Sequence, residues 1–181
     1  MLFANNATIA SGYQNNTLKT ALLAATIVLI TLRCLDAASA DVTGEALVID
    51  GDTLQVATER VRLHGIDAPE TNQVCSSGAV TWPCGRMAAD GLLAAIKSQP
   101  VRCVGNKRDR YGRLLAVCHA GPVDLNAAMV RDGWALAYRR YAKDYVPQEI
   151  EARAESRGMW RGSFDAPWNW RKGERTAAVR D

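Results

Sequence analysis

Two short stretches of the sequence pair carboxylates with turn-forming residues: Asp50-Gly51-Asp52-Thr53, and then Asp67-Ala68-Pro69-Glu70-Thr71. Brought together, such groups repel one another unless a cation lies between them, and a donor set made only of oxygens suits Ca²⁺ or Mg²⁺ rather than zinc or copper. Asp and Pro are also frequent in turns for backbone reasons, so neither stretch decides the matter alone. A second set of charges bears on it. Arg62 precedes Asp67, and Lys107, Arg108, Arg110 and Arg113 crowd around the run Asp109-Arg110-Tyr111-Gly112-Arg113. Guanidinium forks take phosphate oxygens bidentately, so arginines beside a carboxylate-held cation suit a phosphoryl substrate.

For these groups to meet, the chain between them must fold back on itself. Residues 45–49, 53–57 and 60–66 are strand-length, with alternating apolar positions at Leu54 and Val56 and at Val61 and Leu63, and Asp50-Gly51 supplies a turn. A meander of this kind carries both acidic stretches to one end of a sheet. Over residues 85–99 the apolar positions Ala88, Leu92, Ala95 and Ile96 mark one face of a helix. Residues 101–104 and 114–119 read as two more strands joined by a polar connection over 105–113. Asp124 can cap a helix carrying Leu125, Ala128 and Met129 that ends at Gly133, and Pro147 suits the first turn of a last helix through Arg157, closed by Gly158. The order is three strands, helix, two strands, two helices. Five short antiparallel strands would leave edges to protect, and closure into a small OB-type barrel removes them, giving an α+β barrel with three α-helices.

A chain of 181 residues holds one domain and an appendage, and 48% hydrophobic with 23% charged residues excludes a disordered, collagen-like or polytopic membrane class. The net charge of +3 is too small to point to nucleic acid by itself. Ahead of the first strand, Lys19, an uncharged run over residues 21–32 and Ala38-Ser39-Ala40 have the layout of a secretory signal peptide cleaved after Ala40. As a helix that run is only about 18 Å long, short of the ~30 Å hydrocarbon core, so a membrane anchor through residues 21–32 is the poorer alternative. The expected organisation is therefore 1–40 signal peptide, 41–171 folded domain and 172–181 polar flexible tail, with a secreted or periplasmic product. Beyond the leader stand Cys75, Cys84, Cys103 and Cys118, an even set in a chain bound for an oxidising compartment. Of the three pairings, the local one joins Cys75 to Cys84 and Cys103 to Cys118, worth roughly 2.7 and 3.1 kcal/mol in the chain-entropy description. With no CxxC, and with His64 and His119 isolated in apparent strands, the spacing does not favour a zinc site.

The segments IDGDT (49–53), VRLHGIDAPET (61–71) and DRYGR (109–113), in this order and with these separations, resemble the three signature segments of the staphylococcal nuclease, or thermonuclease, family. The similarity runs from about Glu45 to Trp160. It implies a five-stranded OB-type barrel with three helices and a Ca²⁺-dependent phosphodiesterase, an endonuclease acting on DNA and RNA, with Mg²⁺ the alternative ion. By position it implies Asp52 and Asp67 as metal carboxylates, with Ala68 lending its backbone carbonyl. Glu70 becomes the general base, and Arg62 and Arg113 the phosphate-binding arginines. Lys107, Asp109, Tyr111 and Tyr141 are assigned to substrate binding, with Tyr138 the alternative to Tyr141. The sequence departs from the family pattern in a cysteine-bounded insertion at 74–84, in the second cysteine pair and in a tryptophan-rich tail. Trp160, Trp168 and Trp170 are expected to fasten that tail to the barrel. The expected protein is an exported, metal-dependent nuclease with a nucleic-acid substrate, monomeric and with no obligate protein partner evident; a noncatalytic nucleic-acid-binding module of the same fold is the alternative.

Overall fold

Residues 40–174 are described in a computed structural model of the chain. The expected signal peptide up to residue 39, the alternative anchor within it, and residues 175–181 of the expected tail lie outside the described residues. In chain order the strands are β1 (Ala40–Gly44), β2 (Ala46–Val48), β3 (Thr53–Val56), β4 (Glu59–Leu63), β5 (Ile66–Asp67), β6 (Cys75–Ser77), β7 (Val80–Trp82), β8 (Val101–Arg108), β9 (Leu114–Ala120), β10 (Val123–Asp124) and β11 (Leu136–Ala137). The helices are α1 (Cys84–Ile96), α2 (Leu125–Arg131), α3 (Val146–Ala154) and α4 (Pro167–Lys172), with a 3₁₀ turn at Gly158–Arg161.

The main sheet runs β1-β8-β9-β4-β3-β2. Only Glu45 separates β1 from β2, so the two ends of that order belong to one bent strand and the sheet curls into an OB-like barrel of five strands. All neighbours are antiparallel except β4 and β9, which pair in parallel through Val61↔Leu114, Arg62↔Leu115 and Leu63↔Ala116. This corrects the expectation of a wholly antiparallel barrel, and the reason is topological. A ring with an odd number of strands cannot alternate direction all the way round, so one adjacent pair must run the same way.

Leu54, Val56, Val61, Leu63, Leu114 and Ala116 fill the interior, as the alternation requires, and α1 lays Ala88, Leu92 and Ile96 on it. A smaller core gathers Cys75, Cys84, Leu136, Met159, Phe164 and Ala166, with Trp82, Trp160 and Trp168 packed at its margin. Both expected disulfides are present: Cys103–Cys118 joins directly opposed residues of β8 and β9, and Cys75–Cys84 joins β6 to the start of α1.

Several boundaries differ from the sequence expectation. β1 opens at Ala40 and so precedes the expected first strand. β8 continues to Arg108, past the expected end at Val104, through Asn106, Lys107 and Arg108, which are exposed and show no apolar alternation to mark a strand, with a register shift between Val104 and Lys107. α3 stops at Ala154, ahead of Ser156 and Gly158, whose positive φ values of 52° and 54° end the helical path. The described residues hold four α-helices rather than three. The fourth, α4, covers the expected end of the domain and the first residue of the expected tail; at six residues it is too short to show a period, and its marks are Pro167 at the first turn and Gly173 in the left-handed region after it.

Candidate active site

Asp52 is held at the rim of the barrel by three backbone attachments. Its N–H donates to Asp50 Oδ1 at 2.9 Å, its carbonyl accepts from Leu63 N–H at 2.8 Å, and its Oδ2 accepts from Ala68 N–H at 3.0 Å. The turn before it is tight enough that a Cβ on Gly51 would lie 2.7 Å from the Ala68 methyl and 2.9 Å from that of Ala88. Asp67 stands on β5, which is stapled to β11 through Leu136↔Asp67 and Ala137↔Ile66. β11 is fixed in turn by α3, where the buried Glu149 accepts from Ala137 N–H at 2.9 Å and pairs with Arg139. The two acidic stretches therefore meet for the reason the meander implies, and each is pinned by an element far away in sequence.

Arg62 faces Thr53 across the β3–β4 pair and lies between the two buried aspartates, with Nη1 at 2.6 Å from Asp52 Oδ1 and Nη2 at 2.7 Å from Asp67 Oδ1. Thr53 Oγ1 donates to Asp52 Oδ1 at 3.1 Å and accepts from Arg113 Nη1 at 3.1 Å. One continuous chain of polar contacts thus joins Arg113, Thr53, Asp52, Arg62 and Asp67. Burial lifts the Asp52 carboxyl to about 7, against the pull of Arg62, and the nearby charges of Asp50 and Asp67 push the same way as burial. Burial lowers the Arg62 pKa, but Asp52 and Asp67 together overcome it and the net shift is upward. The pair thus favours the cation and leaves Asp52 under-compensated. That asymmetry follows from the geometry, since a fully enclosed carboxylate shares its guanidinium with a second one.

Glu70 sits on the turn that follows Pro69. Its carbonyl accepts from Gln73 N–H at 2.7 Å, its own N–H donates to Gln73 Oε1 at 3.3 Å, and its side chain is 39% exposed. Gly85 packs so closely beneath this turn that any Cβ there would collide with the Glu70 carbonyl oxygen. The buried Gln73 reaches onward to donate to the Asp165 carbonyl at 2.7 Å, tying the turn to the segment that leads into α4.

The remaining expected residues divide. Tyr111, Tyr138 and Tyr141 all line a cleft of about 650 Å³ that also takes in Asp52, Arg62, Glu70 and Arg113. Tyr111 is 68% exposed, with the guanidiniums of Arg110 and Arg113 at 4.7 and 5.5 Å from its ring centre. Tyr141 meets Tyr138 edge-on, and Tyr138 stacks on Trp168 at 5.4 Å. Asp109 is turned to the loop itself: Oδ1 accepts from the N–H groups of Tyr111 and Arg113, and Oδ2 from Arg113 Nε at 2.8 Å. Burial is the largest single influence on its pKa and raises it, but these donors and the Arg113 charge together outweigh it and the net shift is downward. Lys107 is exposed on β8 and is absent from the cleft lining.

Two contributors escaped the sequence reading. Thr53 lies inside IDGDT, but a β-branched residue at the start of a strand signals strand and not site. Arg171, in the last turn of α4, donates from Nη1 to Asp67 Oδ1 at 3.0 Å and to Glu70 Oε1 at 2.9 Å, and from Nη2 to Asp67 Oδ2 at 2.7 Å. It lies beyond Trp160, where the motif similarity ends, and its only sequence signal is a cation between Pro167 and Gly173. Among the described residues no three His, Cys, Asp or Glu side chains gather as a metal cluster. An ion at this rim would rest on the two buried aspartates and on backbone oxygen.

The family model described as "Staphylococcal nuclease homologue" matches residues 60–162. The chain is 38% identical over 131 residues to the succinoglycan biosynthesis protein ExoI of Rhizobium meliloti, covering 70% of this chain and 69% of that one. It is 37% identical over 157 residues to a micrococcal nuclease of Shigella flexneri, covering 76% and 85% respectively. An uncharacterized endonuclease of Escherichia coli O157:H7 is 36% identical over 141 residues, with 73% of this chain and 86% of that one covered.

Proposed function

The chain belongs to the staphylococcal nuclease family, and from that premise we propose that it is an exported, Ca²⁺-dependent endonuclease hydrolysing phosphodiester bonds of DNA, RNA or both. The observation that carries this reading is the unbroken chain of contacts from Arg113 through Thr53, Asp52 and Arg62 to Asp67, of which Arg113, Asp52 and Arg62 line the cleft. Two buried aspartates sharing Arg62 form a donor set made only of oxygens, whose charge guanidiniums balance as the chain stands, and a hard divalent ion fits such a set. Asp52, Asp67 and the Ala68 carbonyl would hold that ion. Its chemistry there is to neutralise charge on the phosphoryl oxygens of the substrate.

The chain's own groups supply the remainder. Arg62 and Arg113 offer fixed N–H donors to the non-bridging oxygens as negative charge builds on them, and the Asp109–Thr53 clamp keeps Arg113 from needing to reorganise. Glu70, half open to the cleft, accepts the proton of the attacking water. Tyr111 and Tyr141 present exposed rings on which unpaired bases can stack. Export is supported by the leader pattern ahead of Asp41 and by the two disulfides.

The test incubates the purified chain with single-stranded DNA, duplex DNA and RNA, each with Ca²⁺, Mg²⁺ or chelator. Cleavage that disappears on chelation supports the proposal. Binding without cleavage under every condition contradicts it and favours a noncatalytic module of the same fold.

A further inference from the structure

The tail delivers a cation to the very oxygens a metal ion would need. We propose that Arg171 is a built-in counter-cation of Asp67 and Glu70 that divalent-ion binding has to displace, so that the C-terminal helix sets how tightly this site takes its metal. The inference rests on the metal reading given above and goes beyond it.

The geometry is that of a bidentate fork. Nη1 and Nη2 of Arg171 meet the two oxygens of Asp67 at 3.0 and 2.7 Å, and Nη1 also meets Glu70 Oε1 at 2.9 Å. Asp67 Oδ1 already accepts from Arg62 at 2.7 Å, and Asp67 is fully buried. Oδ1 accepts from both Arg62 and Arg171 and Oδ2 from Arg171, so most of the acceptor capacity of the carboxylate is taken by guanidinium N–H groups, and an ion competes with Arg171 for it. Removing one partner of such a buried pair leaves an uncompensated charge, which is what gives a second cation its purchase.

Withdrawal is local. α4 is held by its other residues: Trp168 stacks on Tyr138, Pro167 and Ala166 are buried, and Gln73 holds the carbonyl of Asp165. Arg171 leaves from the last turn on a long side chain that is 36% exposed, so the guanidinium can swing away while the helix stays docked. The exchange frees two groups together. Asp67 becomes available as a ligand and Glu70 loses the donor on Oε1, so loading the ion and releasing the proposed base become one event.

Calorimetric titration of the metal-free chain with Ca²⁺ alone tests this, comparing the wild type with Arg171→Gln. The expected result is binding about tenfold tighter in the variant, since Gln offers no competing charge. Equal affinity, or weaker binding in the variant, overturns the proposal and leaves the metal reading standing. Absence of Ca²⁺ binding in both proteins overturns the metal reading and this proposal with it. A second readout needs no variant: the Arg171 Nη–H resonances of the wild type, which donate to Asp67 and Glu70, should lose their protection from solvent exchange on adding Ca²⁺. Undiminished protection in the Ca²⁺-saturated chain would overturn the exchange.

Discussion

Arg62 and Arg113 carry the same charge and different constraints. Arg62 neutralises two buried aspartates, whereas Arg113 is held by Asp109 and Thr53 with its face toward the cleft. Loss of Arg113 should therefore be felt in turnover more than in folding: Arg113→Ala is expected to lower kcat by about 10²- to 10³-fold, as for removal of one preorganised donor, and steady-state kinetics will show whether KM alone moves instead. Glu70→Gln is expected to slow hydrolysis by roughly 10²- to 10⁴-fold with an unchanged melting temperature, because the side chain is half exposed and its backbone turn is retained. Asp109 makes a pH prediction. Its carboxyl is depressed in the folded chain, so its contribution to stability is fully present above the ordinary carboxylate value near 4 and is lost as pH falls through the depressed folded value. Thermal melts of Asp109→Asn should accordingly vary less with pH below about 4 than those of the wild type. At this scale the site was largely legible. The meander read from alternation brings the stretches carrying Asp52, Asp67 and Glu70 to one end, with Arg62 on its third strand, whereas Arg113 was joined to them only through the family resemblance. Arg171 was not legible, because nothing in a helix of six residues past the motifs announces where its last side chain will reach.

Elements decide how firmly those side chains are aimed. Asp67 depends on β11, and β11 on Glu149 of α3, so the two-residue strand carrying Asp67 is held through a helix some eighty positions later. Glu70 depends on α1 passing beneath its turn with no side chain at Gly85. Gly85→Ala is expected to cost about 1–3 kcal/mol by urea denaturation and to lower kcat as well, since the turn carrying Glu70 must shift to admit a methyl group. The cross-strand disulfide belongs to the same argument. Replacing Cys103 and Cys118 together by Ala should lower stability by about 2–4 kcal/mol while leaving the cleft residues in place, measurable as a reduced denaturation midpoint with near-normal specific activity. Strands β3 and β4 and helix α1 were readable because each buries one face and repeats its period. The β6–β7 hairpin and α4 were not, because they pack on the smaller core through single anchors, Cys75 and Trp82 from the hairpin and Trp168 from the helix.

Over the whole described domain, two cores are arranged about one cleft. The barrel supplies Asp52, Arg62 and Arg113. The smaller core, built from the cysteine-bounded insertion and the tryptophan-rich tail, brings Arg171 to the same rim and braces Glu70 through Gln73. The tryptophan-rich tail, one of the features that depart from the family pattern, thus reaches the site. The parallel β4–β9 pair was hidden from sequence reasoning because strand direction in a ring is a property of the closed circuit, which no local pattern expresses. The most direct measurement is a crystal structure of the intact chain grown with Ca²⁺. The account predicts a single ion at about 2.3–2.6 Å from carboxylate oxygens of both Asp52 and Asp67, with the Arg171 guanidinium drawn away from Asp67. An ion bound elsewhere, or an empty rim in a chain that still cleaves nucleic acid, would contradict it.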